Sequence, residues 1–526
     1  MTSHNDTRIT TWLATGHFTP SSILARLDTA ITNSNAITST ELPVLTHLFS
    51  TLPNNTLTAS SFRSLLQTKL NLALPLSTTQ TIFNHLAYLS TLPFPSSTNP
   101  PPPSLTLPAL KRALTWSLPG RDKQIIEMSN HSRMRTASDH RRLLFQSLAD
   151  VHDTDHHSRI AAQKTAHRTA HQVEHAMYLD LCQTNHDDDG DEIFHDVLDV
   201  LYSVQEEHDP CVSGVLRDDF RAVAREIGGG LPELRKMGIP RARFECVVEL
   251  VLALQFALGE GEDEPGERFG EAARAVCAAF FGGGKEVVVD WLGFEKAWTL
   301  APFLFDGLHG LLARVFLGTG GPGISGFLDP PRVEEGLLDL GRASQLATFL
   351  AGSVDLGEIK RVWTQTPGEK RPVGDVLGET AEEAVLVVSG VDGSGTEVVF
   401  GVFTPHPRMD RDSIQTDQVP NVGGLERCCI FQLAPRQDVF RGVVGRPGWR
   451  TAGGEITFGR ETGVALAFKE DGQVAELTHR VVESEDSEDS EDSQATSYAY
   501  EPNMTRGDWR LELRVSAMEV WKGPGV

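Results

Sequence analysis

The chain has 526 residues and a formal net charge of −24, from 71 Asp and Glu against 47 Lys and Arg, and 40% of its residues are hydrophobic. That length suits roughly three domains with sizeable cores, while the negative balance disfavours broad attraction to DNA or RNA. No run of about 18 uncharged apolar residues occurs, the start lacks a basic flank before an apolar core, and the six cysteines show no CxxC spacing, so a soluble cytosolic protein without direct nucleic-acid partners is expected.

In chain order, residues 1–92 read as short helices. Thr40 and Glu41 open a segment in which Leu42, Leu45, Leu48 and Phe49 share one helical face, and Phe62, Leu65, Leu66 and Leu70 repeat the pattern after the loop LPNNTLTAS. The two segments predict a helical hairpin. PFPSSTNPPPPSLTLP, residues 93–108, breaks the pattern and predicts a polyproline-like linker or long loop. Helical patterns resume over residues 109–317, with Leu143, Leu144, Phe145 and Leu148 among them, and Val287 to Phe316 reads as a short strand leading into two packed helices. The stretch 318–335 is rich in glycine and proline and predicts a boundary.

Over residues 336–526 the texture changes to short apolar runs: AVLVVSG, EVVFGVF, RCCIFQLAP, GEITFG, GVALAFKEDGQVAELTH and RLELRVSAMEVW. Leu511, Leu513 and Val515 alternate with Glu512 and Arg514, the period of a half-covered strand. KEDG predicts a hairpin turn at Asp471 and Gly472. The fold class expected is α+β, a helical half followed by an antiparallel β domain of two packed sheets. The acidic stretch 483–494 (SEDSEDSEDSQ from Ser484) has no apolar residue and predicts a disordered insertion, with its serines as candidate substrates of an acidophilic kinase.

Several apparent signatures fail in context. Gly318, Gly320 and Gly323 spell GxGxxG, yet they follow a helical pattern and Pro322 interrupts the turn. Lys285 follows three glycines, but Glu286 stands where a phosphate loop needs Ser or Thr. There is no GxSxG and no HExxH. Asn185, Asp187, Asp189, Gly190 and Asp196 match positions of a calcium loop, although Asp196 replaces the long Glu that closes the coordination shell. His167, His171 and His175 share one helical face but lack Cys or carboxylate partners for zinc. No catalytic, cofactor-binding or metal residue is therefore assigned.

Consecutive side chains on a strand point to opposite faces, so Cys428 and Cys429 do not converge on one metal. Apolar groups on both faces of CCIFQLAP predict a strand buried between layers, its thiols inert. Beyond it PRQDVFRG carries Arg436, Asp438 and Arg441 out of the core, as a candidate contact surface.

The ordered series AVLVVSG, EVVFGVF, CCIFQLAP, EITFGRETGVALAFKEDGQVAEL and AMEVW resembles a TLDc domain. With DVLDVLYSVQ and EKAWTLAPFLFDGL in the helical half, the chain most resembles the fungal restriction of telomere capping protein 5 family. The resemblance implies a TLDc-type β-sandwich with short helices and no established catalytic activity or cofactor. It also implies a cytoplasmic interaction protein, associated with telomere capping and oxidation resistance, whose partner is the vacuolar-type proton-pumping ATPase. The matching positions are Gly401, Phe431, Gly459, Gly463, Glu519 and Trp521. Glu519 and Trp521 would either anchor a partner or close the domain edge. Thr2 stands where N-myristoylation, found in proteins of this type, needs glycine, so recruitment to the vacuole surface is expected through a partner. Two alternatives stand beside this reading: a thiol-based oxidative-stress protein using Cys428 or Cys429, and a calcium-responsive adaptor using the loop 185–196.

Overall fold

The computed structural model describes residues 9, 11–95, 102–126, 135, 137–152, 192–205, 215–228, 233–256, 265–281, 287–318, 336–351, 353–365, 373, 377, 383–404, 428–442, 449–452, 455–459, 463–469, 472–481, 500, 502–503 and 506–523. The calcium loop up to residue 191, the three spaced histidines, Gly320, Gly323, Lys285 and the acidic insertion lie outside these residues.

The first half is built from helix–strand–helix units. Helices α1 (Pro20–Asn33) and α2 (Glu41–Thr51) lead to strand β1 (Leu57–Thr58) and helix α3 (Ala59–Leu70), and α4 (Leu76–Leu89) leads to β2 (Ser104–Leu105) and α5 (Leu107–Ser117). Strand β1 pairs antiparallel with β2, Leu57 opposite Leu105. Local chemistry sets these boundaries. Thr58 caps α3 in a reciprocal box with Ser61, Asn71 ends it in the left-handed region, and Thr106 caps α5 ahead of Pro108. Residues 104–108, expected as linker, are thus a short strand and a helix start, with Leu105 fully buried and Ser104 half-buried.

After α6 (Ala137–Leu148), β3 (Asp150–Val151) and α7 (Glu192–Ser203) the device recurs. Helix α8 (Arg221–Ile227) precedes β4 (Met237–Pro240) and α9 (Arg241–Ala253), and α10 (Pro265–Phe280) precedes β5 (Val288–Asp290) and α11 (Trp291–Trp298). Strands β3, β4 and β5 form one small sheet. Helix α12 (Asp306–Leu317) ends at Gly318 with φ of 75°, a left-handed cap that glycine adopts without strain. It lies against α2 and α3, where Phe316 stacks on Phe62 at 5.7 Å.

Helix α13 (Leu340–Leu350) opens the last part, capped by Asp339. Among the described residues ten strands follow: β6 (Lys360–Thr364), β7 (Ala384–Val391), β8 (Glu397–Thr404), β9 (Cys429–Ala434), β10 (Asp438–Arg441), β11 (Trp449–Ala452), β12 (Glu455–Gly459), β13 (Val464–Lys469), β14 (Val474–His479) and β15 (Trp509–Lys522). They join in one antiparallel sheet, ordered β10-β9-β8-β7-β15-β14-β13-β12-β11, with β6 also on β15. Strand β15 is the spine: its first half pairs with β14 and its second half with β7, with a register shift between Val515 and Ala517. The two wings face each other, Phe400 of β8 lying 6.5 Å from Phe468 of β13. They enclose a core of Val388, Phe400, Ile430, Phe458, Leu466 and Leu477 among others.

The outward face of β7, β8 and β9 is also covered. Val385, Val387, Val399, Phe403, Phe431 and Leu433 belong to the same continuous apolar cluster as the helical half, which runs from Ile9 to Trp521. This double burial accounts for the unbroken apolar runs of these strands, against the alternation seen in β15. It also means that the outward face of the sheet shares a core with the helical half, beside the separate core enclosed between its wings.

Gly401 sits where β7 and β9 squeeze β8: a Cβ there would lie 2.1 Å from the Leu386 carbonyl oxygen and 2.5 Å from the Phe431 ring. Gly401→Ala is expected to cost about 1–3 kcal/mol, read as a lower urea midpoint. The double variant with Phe431→Leu should recover little, because the backbone carbonyl stays in place.

Candidate functional site

At the end of CCIFQLAP, Pro435 is exposed and Arg436 half-buried, but Gln437 to Phe440 turn back into the core. Strand β10 folds straight back on β9, Asp438 opposite Gln432 and Arg441 opposite Cys429. The connecting turn docks on the helices. Gln437 is fully buried; its backbone N–H donates to Ala275 O at 2.9 Å, and its side-chain amide donates to Thr348 Oγ1 at 3.0 Å and Leu300 O at 3.3 Å. Gln345 of α13 donates to Leu433 O at 3.0 Å. Arg436 reaches Ala279 O in the last turn of α10, and Arg441 reaches Thr299 O just past α11, each at 3.4 Å. Helix C-terminal carbonyls lack intrahelical donors and carry the negative end of the helix dipole, so guanidinium groups suit them. Asp438 is likewise fully buried, accepting from Arg506 Nη1 at 2.9 Å and Asn503 Nδ2 at 3.0 Å. The expected outer contact surface of Arg436, Asp438 and Arg441 is therefore an internal seam between sheet and helices.

Glu519 and Trp521 are also turned inward, on the central strand β15, 2% and 1% exposed. Glu519 accepts from Trp521 Nε1 at 3.0 Å, from Arg361 Nη1 of β6 at 3.0 Å and from the Leu338 N–H at 3.4 Å. One carboxylate thus fastens the entrance of the last part to its final strand. Glu519→Ala leaves a buried indole N–H unpaired and is expected to cost about 1–3 kcal/mol. Glu519→Gln keeps an acceptor oxygen and should cost less, which paired urea titrations would show. Gly459, with φ of 80°, ends β12, Gly463, with φ of 96°, immediately precedes β13, and Phe431 packs on Phe349 of α13 at 5.6 Å. The nine residues therefore do not converge on one site.

The two alternative chemistries find little to work with. Cys429 is buried, and desolvation pushes its thiol up to about 12, although Arg441 pulls the other way; a thiolate at neutral pH is thereby suppressed. Cys428, half-buried, stands just outside the strand. For calcium, Asp196 lies inside α7, 4% exposed, with both oxygens taken by guanidinium groups. It has no free oxygen for a cation. The paired helix–strand–helix units resemble calcium-binding hands in outline, but neither 52–58 nor 90–105, the connections around β1 and β2, contains Asp or Glu. Among the described residues, no group of three His, Cys, Asp or Glu is placed to hold a metal ion.

What the sequence did not disclose is a buried ionic cluster. Arg135 bonds Asp196 at 2.7 Å and Asp122 at 2.6 Å; Arg142 bonds Asp196 through both Nη atoms at 2.8 Å. His140 Nε2 lies 3.1 Å from Asp122. Burial alone would raise the Asp122 carboxyl, yet with His140 and Arg135 beside it, it falls to about 2. Next to this, Arg217 bonds Asp199 at 2.8 Å and lies 3.1 Å from His195 Nδ1, and Arg141 bonds Glu295. The cluster fastens α7 to α6 and to the turn Asp122–Gln124. The one signal for it was Asp196 and Asp199 set into the apolar helix FHDVLDVLYS; charges so placed need partners. Among the described residues no helix is long and apolar enough to cross a membrane. The chain matches no protein-family model and no curated protein.

Proposed function

We propose that the chain is a non-enzymatic interaction protein of TLDc type, acting in the cytoplasm as a regulator of the assembly of a vacuolar-type proton-pumping ATPase. It would reach the vacuole surface through that partner, and through it the processes tied to telomere capping and oxidation resistance in this family. One observation carries the reading. The segments that resemble the family are all strands of one sheet, β7, β8 and β9 on one wing and β12, β13 and β14 on the other, joined by β15, which holds the terminal AMEVW. The expected two packed sheets are instead one antiparallel sheet whose two wings face each other, and this arrangement supports the reading as a sandwich-type domain. With the β9–β10 turn and Glu519 turned inward, the partner face is the outer surface of β13 to β15. There Arg510, Glu512 and Arg514 are exposed, and Glu476 is held by Lys469 and Arg510.

The test is quantitative affinity purification of the full chain from vacuolar membranes, beside the double charge reversal Arg510→Glu and Arg514→Glu. Enrichment of proton-pump subunits with the parent chain, lost in the reversal, is expected. A parent chain that never enriches those subunits overturns the reading.

A further inference from the structure

We propose that His479 is a pH-sensitive latch, which holds the arm formed by Tyr500, Asn503 and residues 506–508 against the sheet in its neutral form and lets it go on protonation, uncovering Asp438. This goes beyond the proposed function and stands without it. His479 ends β14 and is fully buried. Its Nδ1 lies 2.8 Å from the Gly507 carbonyl oxygen, which can only accept, so Nδ1 carries the proton and donates. Its Nε2 lies 2.8 Å from the Asn503 backbone nitrogen, whose N–H can only donate, so Nε2 accepts. Only the neutral ring protonated on Nδ1 satisfies both. A second proton on Nε2 would face the Asn503 N–H head-on.

The ring cannot turn away from this conflict. It stacks on Trp509 at 5.3 Å with planes 5° apart, and Phe440 closes a second side at 5.5 Å. The charged groups around it are Asp438 on β10 and Arg506 and Asp508 on the arm, and each already has a partner. Asp438 is held by Arg506 and Asn503, Asp508 accepts from the Val481 N–H at 2.7 Å, and Arg506 also donates to Gln432 and lies 4.4 Å over Trp509. Burial, the largest influence, holds the imidazole below its usual 6.5, although the Gly507 carbonyl and Asp438 pull upward.

The sign follows. The closed arm prefers neutral His479, and the open arm exposes a ring with an ordinary pKa of about 6.5. Closure is therefore complete above that value. Below it, opening grows about tenfold per pH unit, until the closed ring itself takes up a proton. The same arm brings Tyr500 into the sheet core, bridged to Gly442, and covers Asp438. Asp438 follows directly on Gln437, the residue that bonds the sheet to the helices. Latch and seam share one hairpin.

Hydrogen exchange of the full chain between pH 7.5 and 5.5, corrected for intrinsic rates, tests this. The amides of Tyr500, Asn503 and residues 506–508 should lose protection about tenfold per pH unit below pH 6.5, while β13 keeps its own. In His479→Asn, which has no titrating ring, that slope should vanish, whether the arm stays closed or is open throughout. A parent arm whose protection does not change with pH, or a variant that keeps the parent's slope, overturns the latch.

Discussion

Asp196→Ala is expected to destabilise the chain by about 3–5 kcal/mol, the cost of breaking a buried ion pair from one side. Asp196 serves both Arg135 and Arg142, each 2% exposed. Without it the two guanidinium groups remain in the interior with Asp122 and Asp139 as their nearest counter-charges. Neither arginine can reach water without unpacking α6 from α7. Asp196→Asn keeps one acceptor oxygen and should fall between the two. Urea unfolding followed by circular dichroism measures the difference. A cost under about 1 kcal/mol, the level of an exposed pair, would show that the cluster does not fasten α7.

A larger effect is expected from cutting the chain at its sequence boundary. Residues 336–526 expressed alone should fail to reach a native, monomeric state. The cut bares Val385, Val387, Val399, Phe403, Phe431 and Leu433, all 2% exposed or less in the whole chain and all packed in the cluster shared with the helices. At about 1.5–3 kcal/mol per buried side chain, the lost burial is comparable with the whole stability of a typical domain, about 5–15 kcal/mol. The carbonyl partners of Gln437, Arg436 and Arg441 go as well, leaving Gln437 with an unpaired N–H. Size-exclusion chromatography and amide dispersion in a proton–nitrogen spectrum would decide. A sharp, monomeric, well-dispersed fragment would contradict the shared core.

The sheet was legible because its physics is local. Leu511, Leu513 and Val515 alternate with charges, and the doubly covered strands β7 to β9 read as continuous apolar runs, which only strands walled on both faces sustain. Cys429 reads as part of a doubly covered strand for the same local reason, whereas Cys428 stands half-buried just outside it. The rest depended on partners distant in sequence. Gln437 looks like an ordinary turn residue until Ala275 and Leu300 are brought to it. Asp196 fits the end of a calcium loop until Arg135 and Arg142 claim its oxygens. The two-residue strands β1 and β2 are too short to carry a period, so Ser104 and Leu105 passed for linker. Glu519 and Trp521 were expected to anchor a partner or close the domain edge; both are buried on the central strand, and their partners Arg361 and Leu338 are set by the sheet's closure and not by spacing.

The central claim is that the helical half and the sheet form one body around a shared core, with the β9–β10 hairpin as its internal seam. It is tested most directly by placing the perturbation in one half and reading it in the other. In native-state hydrogen exchange of full-length Asp196→Ala, the most protected amides of β13, in the wing away from the helices, should lose the same free energy as those of α9. Undiminished protection in β13 beside a loss of several kcal/mol in the helices would contradict the claim and show two bodies that merely touch.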